Sequence, residues 1–217
     1  MNIVIDRFNK IKSIINETYQ NKNINIIAVS KTVVMENILP LIKYGHQHFG
    51  ENKVQEAEKK WSNSKKIYPD VKLHMLGKLQ SNKAEQAAIL FDYIHSLDSI
   101  KLANKLNQAE EKIKKKLKYF IQVNIGSESQ KSGVRKEELS TFIEFLNNKT
   151  NLNIIGLMCI PPINQSPDFF FDEMLKLNKF YGFKELSMGM SGDYIKAIKY
   201  GATYIRLGTS IFGARNT

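Results

Sequence analysis

Eight short apolar segments recur along this chain, each running into polar residues and each separated from the next by a stretch of helical period. They occupy residues 24–32, 46–52, 73–77, 93–97, 119–125, 154–160, 185–188 and 204–207. Segments that are apolar almost throughout belong to strands buried on both faces, as in a parallel sheet. Helices are expected over 35–44, closed by Gly45, then from 54 to about 61, from 82, from 99, from 136 to about 147, over 169–180 and over 193–199. Residues 1–20 place Ile3, Val4, Phe8, Ile11, Ile14 and Ile15 near a helical period, so an amphipathic helix precedes the first strand. The polar stretch 126–133, GSESQKSG, reads as a loop. This count and order predict an α/β fold, one (β/α)8 barrel domain over residues 1–217 with an extra N-terminal helix. An open doubly wound sheet would need a glycine-rich first turn that is missing here.

Composition narrows the functional classes. Hydrophobic residues at 42% and charged residues at 24% match a globular chain. No apolar run approaches the roughly 20 residues needed to span a bilayer. Asp6 and Lys10 come too early for a signal peptide, so a cytoplasmic protein is expected. The single cysteine, Cys159, lies in the apolar run IIGLMCI and reads as a buried, inert thiol. A net charge of +11 raises nucleic-acid binding. The densest run, EEKIKKKLK at 110–118, reads instead as the end of a solvated helix. No helix-turn-helix, zinc-finger or RNP-type aromatic pattern accompanies it, so no nucleic-acid partner is expected.

Barrels of this type place their chemistry at the carboxyl ends of strands and often hold phosphate in the loops after strands seven and eight. The polar residues obey that rule. Lys31 ends strand one, Glu51 and Asn52 end strand two, Asn124 and Ser127 follow strand five, Ser191 and Gly192 follow strand seven, and Gly208, Thr209 and Ser210 follow strand eight. A partly desolvated lysine is a nucleophile toward an aldehyde, although most strand-ending lysines are solvated charges. Ser191, Gly192, Gly208 and Thr209 offer amides, hydroxyls and close backbone approach to a phosphate dianion; the plain alternative for Ser191 and Asp193 is a helix cap. The near match of GMSGD to a nucleophile elbow lacks its last glycine and any oxyanion motif, which excludes a serine hydrolase. Arg206 lies within the apolar strand YIRLG and must be an internal ion-pair member or a ligand contact. His46 and His48 lack a third ligand at metal-binding spacing, so packing or exposure is the plainer role, as for His74 and His95. A strand-end lysine, an arginine and a phosphate cradle together make up the kit that pyridoxal 5′-phosphate (PLP) requires.

The blocks AVSKT (28–32), FGENKVQE (49–56), HMLGKLQSNK (74–83), KSG (131–133), GLMCIPP (156–162), LSMGMSGD (186–193) and IRLGTSIFGAR (205–215) run in order across nearly the whole chain. In them the sequence resembles the YggS/PROSC family of PLP-homeostasis proteins. The resemblance implies a barrel similar to the alanine racemase N-terminal domain, with PLP held as a Schiff base on Lys31. It further implies that Ser191, Gly192, Gly208 and Thr209 take the phosphate, that Arg206 faces the pyridine nitrogen and that Asn52 lies nearby. His74 and Met190 are lesser lining candidates, and Lys131 matches a second, looser PLP contact. Lys78 and Cys159 depart from the family blocks without replacing any of these residues.

The function implied is PLP binding without substrate turnover, as carrier, buffer or delivery partner, with PLP-dependent apo-enzymes as candidate recipients. An amino-acid racemase is the alternative. Alanine racemase also uses an arginine at the ring nitrogen but adds a tyrosine from a second domain, for which the barrel leaves no residues here. A lysine-dependent aldolase without PLP would share the fold. A monomer without membrane association is expected.

Overall fold

The computed structural model describes residues 2–20, 23–126, 128, 130 and 132–214; Ser127 and Lys131 lie outside the described residues. The eight expected strands form a closed parallel barrel: β1 (Asn25–Val29), β2 (His48–Glu51), β3 (Lys72–Met75), β4 (Tyr93–Leu97), β5 (Lys118–Val123), β6 (Asn153–Cys159), β7 (Glu185–Met190) and β8 (Tyr204–Leu207). They are ordered as in the sequence, and β8 closes against β1 with Asn25 opposite Tyr204 and Ala28 opposite Leu207.

Helix α1 (Ile3–Thr18) precedes β1, its first turn capped by the Asn2 side chain, which accepts from the Val4 amide. Val4, Phe8, Ile11 and Ile15 bury one face of it, while Ile3 remains exposed. The crossovers are α2 (Met35–Lys43), α3 (Val54–Trp61) with α4 (Ser64–Ile67), α5 (Ala84–Leu90), α6 (Ile100–Ile113), α7 (Leu139–Lys149), α8 (Pro167–Phe180) and α9 (Tyr194–Lys199); α10 (Thr209–Phe212) follows β8. Gly45 ends the turn after α2 at φ +95°, a conformation glycine adopts without strain. None of the described helices is long and apolar enough to cross a membrane.

Side chains alternate across each strand, and the core therefore divides in two. The larger part, including Phe49, Trp61, Phe91 and Phe171, lies between strands and helices. A separate cluster of Ile27, Tyr93, Phe120, Met158 and Tyr204 fills the barrel itself.

One sequence expectation needs correction. Residues 110–118 are only in part the end of a solvated helix: 110–113 close it, with Glu111 and Lys112 exposed, and the rest do not belong to it. Helix α6 stops at Ile113, Lys114 turns into the left-handed region at φ 52°, and Lys118 already belongs to β5. Glu110 is buried, accepting from the Leu117 amide (2.6 Å) and the Tyr119 hydroxyl (3.0 Å) and pairing with Lys116 (3.0 Å). Lys115, just past α6, donates to the carbonyls of Ala88, Ile89 and Phe91, complementing the C-terminal end of α5.

Candidate functional site

At the carboxyl end of the barrel a cavity of about 300 Å³ is lined by Lys31, Asn52, Ser191, Gly192, Arg206, Gly208 and Thr209. All seven sequence candidates therefore meet in one place, brought there by the ends of β1, β2, β7 and β8. Val29, Leu76, Ile160 and Met190 complete its wall. His74 does not line it; its ring is buried within the barrel. Asn124 lines a neighbouring cavity of about 340 Å³ with Lys78 and Gln122, and the two cavities share Asn52, Leu76 and Ile160.

Lys31 is half-buried in the turn that follows β1, and the backbone on both sides of it is fixed by long-range bonds. Lys60 Nζ donates to the Ser30 carbonyl at 2.8 Å. The Ser30 hydroxyl donates to Glu51 Oε1 at 2.7 Å, where Trp61 Nε1 (2.9 Å) and Lys60 Nζ (3.0 Å) also converge. The Lys31 carbonyl accepts from the Thr32 hydroxyl, and the Thr32 amide donates to Glu56 Oε1, both at 2.6 Å. Thr32 sits at φ +63°, a strained conformation for a β-branched residue that persists only where surrounding bonds impose it. Burial acts to raise the Glu56 carboxyl, but the Thr32 amide and Lys60 outweigh it and hold the group below the ordinary carboxylate value. Sequence reasoning placed Glu51 at a strand end but missed Lys60 and Trp61, because the helix face that carries them shows nothing of its partners in β1.

Arg206 is only 6% exposed, and its bonds are not those of an ion pair. Nη1 donates to Ser187 Oγ at 2.8 Å and Nη2 to the Cys159 carbonyl at 2.9 Å, both neutral acceptors. A guanidinium carries five N–H donors, so donors remain for the cavity that Arg206 lines. Burial pushes the Cys159 thiol up to about 12, in keeping with an inert cysteine.

The loops after β7 and β8 are stitched together by the Ser210 amide, which donates to Ser191 Oγ at 3.3 Å. Asp193 Oδ1 accepts from the Met190 amide at 2.6 Å, and neither side chain caps α9. A Cβ built on Gly192 meets no atom within 4 Å, and one on Gly208 meets only Val29, at 3.6 Å and beyond. The space in front of both glycines is therefore open, as a cradle for an anionic group requires.

The histidines are linked to each other rather than arranged around a metal. His48 Nδ1 lies 2.9 Å from His74 Nε2, His74 Nδ1 2.9 Å from His95 Nε2, and His95 Nδ1 2.9 Å from Ser187 Oγ. Among the described residues no group of three or more side chains is arranged to hold a metal ion.

Residues 6–216 match the family model of the alanine racemase N-terminal domain. The pyridoxal phosphate homeostasis protein of Vibrio alginolyticus is 38% identical over 205 residues, which span 90% of this chain and 88% of that protein. The protein of the same name from Schizosaccharomyces pombe is 36% identical, covering 95% and 91% of the two chains. Among solved structures, PipY of Synechococcus elongatus PCC7942 with PLP bound superposes with a TM-score of 0.87 at 32% identity, over 97% of this chain and all of that one. Alanine racemase of Clostridium difficile 630, 16% identical, shares the fold at a TM-score of 0.76, with this chain spanning 58% of its length.

Proposed function

The chain belongs to the alanine racemase N-terminal domain family, and from that premise we propose that it binds PLP in the cavity at the barrel mouth and acts in PLP homeostasis without turning over a substrate. The observation that carries this reading is the convergence of Lys31, Arg206 and two open glycine loops on one cavity of about 300 Å³. When bound, PLP supplies an aldehyde that a primary amine can capture and a ring nitrogen with a lone pair. Lys31 provides the amine, held by a turn whose flanking backbone is fixed from α3. Ser191, Gly192, Gly208 and Thr209 receive the phosphate, and Asn52 borders the ring.

Arg206 donates toward the ring nitrogen. Because a guanidinium keeps its protons, that nitrogen remains an acceptor and the ring a weak electron sink. Lys31 and Arg206 are also the only ionisable side chains that line the cavity among the described residues, which supports holding over turnover. Names borne by the relatives above point the same way. PLP-dependent apo-enzymes are the class of protein that would consume what the site releases.

An absorbance spectrum of the purified protein, followed by borohydride reduction and peptide mapping, tests the reading. A reducible PLP adduct on the Lys31 peptide is expected, lost in Lys31→Ala with the melting temperature little changed. Incubation with a panel of amino acids should then leave their chirality intact. An adduct that persists in Lys31→Ala would sink the assignment; racemisation of any amino acid at a catalytic rate would move the racemase alternative to the front.

A further inference from the structure

Barrels of this class fill their interior with branched aliphatic side chains. This one places His48, His74, His95, Ser187 and Arg206 there as well, in one unbroken line of hydrogen bonds. From Arg206 Nη1 it runs through Ser187 Oγ (2.8 Å), His95 and His74 to His48, half-buried at the amino-terminal end of β2. Aromatic rings hold the imidazoles in place. His74 stacks on Tyr93 at 4.2 Å between centroids, His95 on Phe120 at 4.3 Å, and Tyr204 packs edge-on against His95 and Phe120.

The direction of this line follows from its first member. Arginine can only donate, so Ser187 Oγ accepts from it. If Ser187 then gives its own hydrogen to His95 Nδ1, the His95 proton sits on Nε2 and faces His74 Nδ1, and the His74 proton likewise faces His48 Nδ1. Every donor between Arg206 Nη1 and His74 then has an acceptor, and the last proton, on His48 Nε2, lies at the half-buried end of the line. In the reverse direction Ser187 would accept twice and leave its hydroxyl hydrogen without a described acceptor in a buried place, which is costly. Burial keeps His74 and His95 neutral by lowering both well below the ordinary histidine value.

We propose that Ser187, His95, His74 and His48 form a polarised column whose electron-rich end faces Arg206, fixing the guanidinium and setting the donor it presents to the PLP ring nitrogen. Buried cations are ordinarily balanced by a carboxylate. A carboxylate here would cancel the charge that Arg206 offers the cofactor. Three aligned neutral imidazoles instead supply an acceptor and leave the positive charge in place. These four are positioning residues, and the inference rests on the PLP reading above.

The column itself is tested without cofactor, by nitrogen-15 chemical shifts of histidine-labelled full-length protein near pH 7.5. All three rings should carry their proton on Nε2; a proton on Nδ1 of His95, or rapid exchange between the two forms, overturns the proposal. Its effect on the site is tested in PLP-loaded protein with His95→Phe, Ser187→Ala and His95→Asn. The first two should shift the absorption maximum of bound PLP and speed its release roughly tenfold, the loss expected of one hydrogen bond to a charged group. His95→Asn, whose amide oxygen can take the Ser187 hydrogen, should restore both. Unchanged spectra and release in Ser187→Ala overturn the proposal even if His95→Phe fails to fold. Failure of the PLP reading is distinguishable, because the native chain would then show no cofactor band.

Discussion

At Gly192 no protein atom crowds the place a Cβ would take, and the backbone there lies outside the left-handed region, so the fold has no evident need of glycine. The cavity does. Gly192→Val should leave stability within about 0.5 kcal/mol of native, as is usual for uncrowded surface positions, while cutting PLP affinity at least tenfold. A thermal melt and a PLP titration, run on the same sample, check the two halves separately. Glu51 presents the opposite case. Its fully buried carboxylate takes bonds from Ser30, Lys60 and Trp61, and the Lys60 side chain is itself only 11% exposed. Glu51→Ala leaves Lys60 its contacts with Glu56 (3.2 Å) and the Ser30 carbonyl (2.8 Å) but removes its buried partner and the acceptor of the Trp61 N–H, which together cost about 3 kcal/mol. The melting temperature should fall by roughly 10 °C for a chain of this size. Adding Lys60→Met should recover part of the loss, and a double-mutant cycle that shows no coupling would rule the pair out as the support of Lys31.

Between elements the tightest constraint is the seam of β6 and β7. A Cβ on Gly156 would sit 1.8 Å from the Glu185 carbonyl oxygen, so Gly156→Ala must push the two strands apart. A loss above about 3 kcal/mol is expected, with faster amide exchange along β6 and β7 than along β1 and β2. Uniform exchange would show that the barrel absorbs the clash elsewhere. The strands themselves were legible because burial on both faces leaves short, mainly apolar runs even where a polar residue is held inside the barrel, as His95 is in 93–97 and Arg206 in 204–207; these two runs match β4 and β8 to the residue. Helix α3 was equally plain. Four-residue α4 and α10 were not, since one helical turn shows no period. Beyond Ile113 the run misled because Lys115 finds its partners at the end of α5 and Glu110 finds its own at Leu117 and Tyr119, which sequence spacing does not register. The site was legible for a related reason. The end-of-strand rule brought Lys31, Asn52, Ser191, Gly192, Gly208 and Thr209 to the mouth, and Arg206, from inside β8, joins them there, whereas Glu51 at another strand end turns to Lys60 and Trp61. What it leaves out are the residues behind them. Ser187 and Lys60 drew no reading from the sequence, and the histidines mainly one of packing or exposure, because their contacts join elements far apart along the chain.

The molecule as a whole carries four histidines, all held neutral by burial, and this sets its response to acid. His46 is lowered to about 4, by desolvation first and then by the positive fields of His48 and Lys12, against its bond to the His48 carbonyl. His74 and His95 lie well below the ordinary value, and His48 is lowered by burial together with Lys72 and Lys118, opposed by Asp92. The unfolded chain takes up protons on these rings near pH 6.5, whereas the native chain does not. Stability contributed by the neutral rings is therefore complete above pH 6.5 and lost as pH falls, at about 1.4 kcal/mol per pH unit for each histidine. For His46 alone the loss reaches roughly 2 kcal/mol by pH 5, and His74 and His95 add to it in the same direction. Asp98, raised by burial, works in the opposite direction, but only once the pH nears the carboxylate range. Urea unfolding midpoints should be level from pH 8 to 7, begin to fall near 6.5 and keep falling down to pH 5. His46→Gln should make the decline visibly shallower by removing one of the titrating rings. A midpoint that holds steady down to pH 5 and drops only in the carboxylate range would mean that the interior histidines are solvated or already charged in the native barrel, and the polarised column would fall with them.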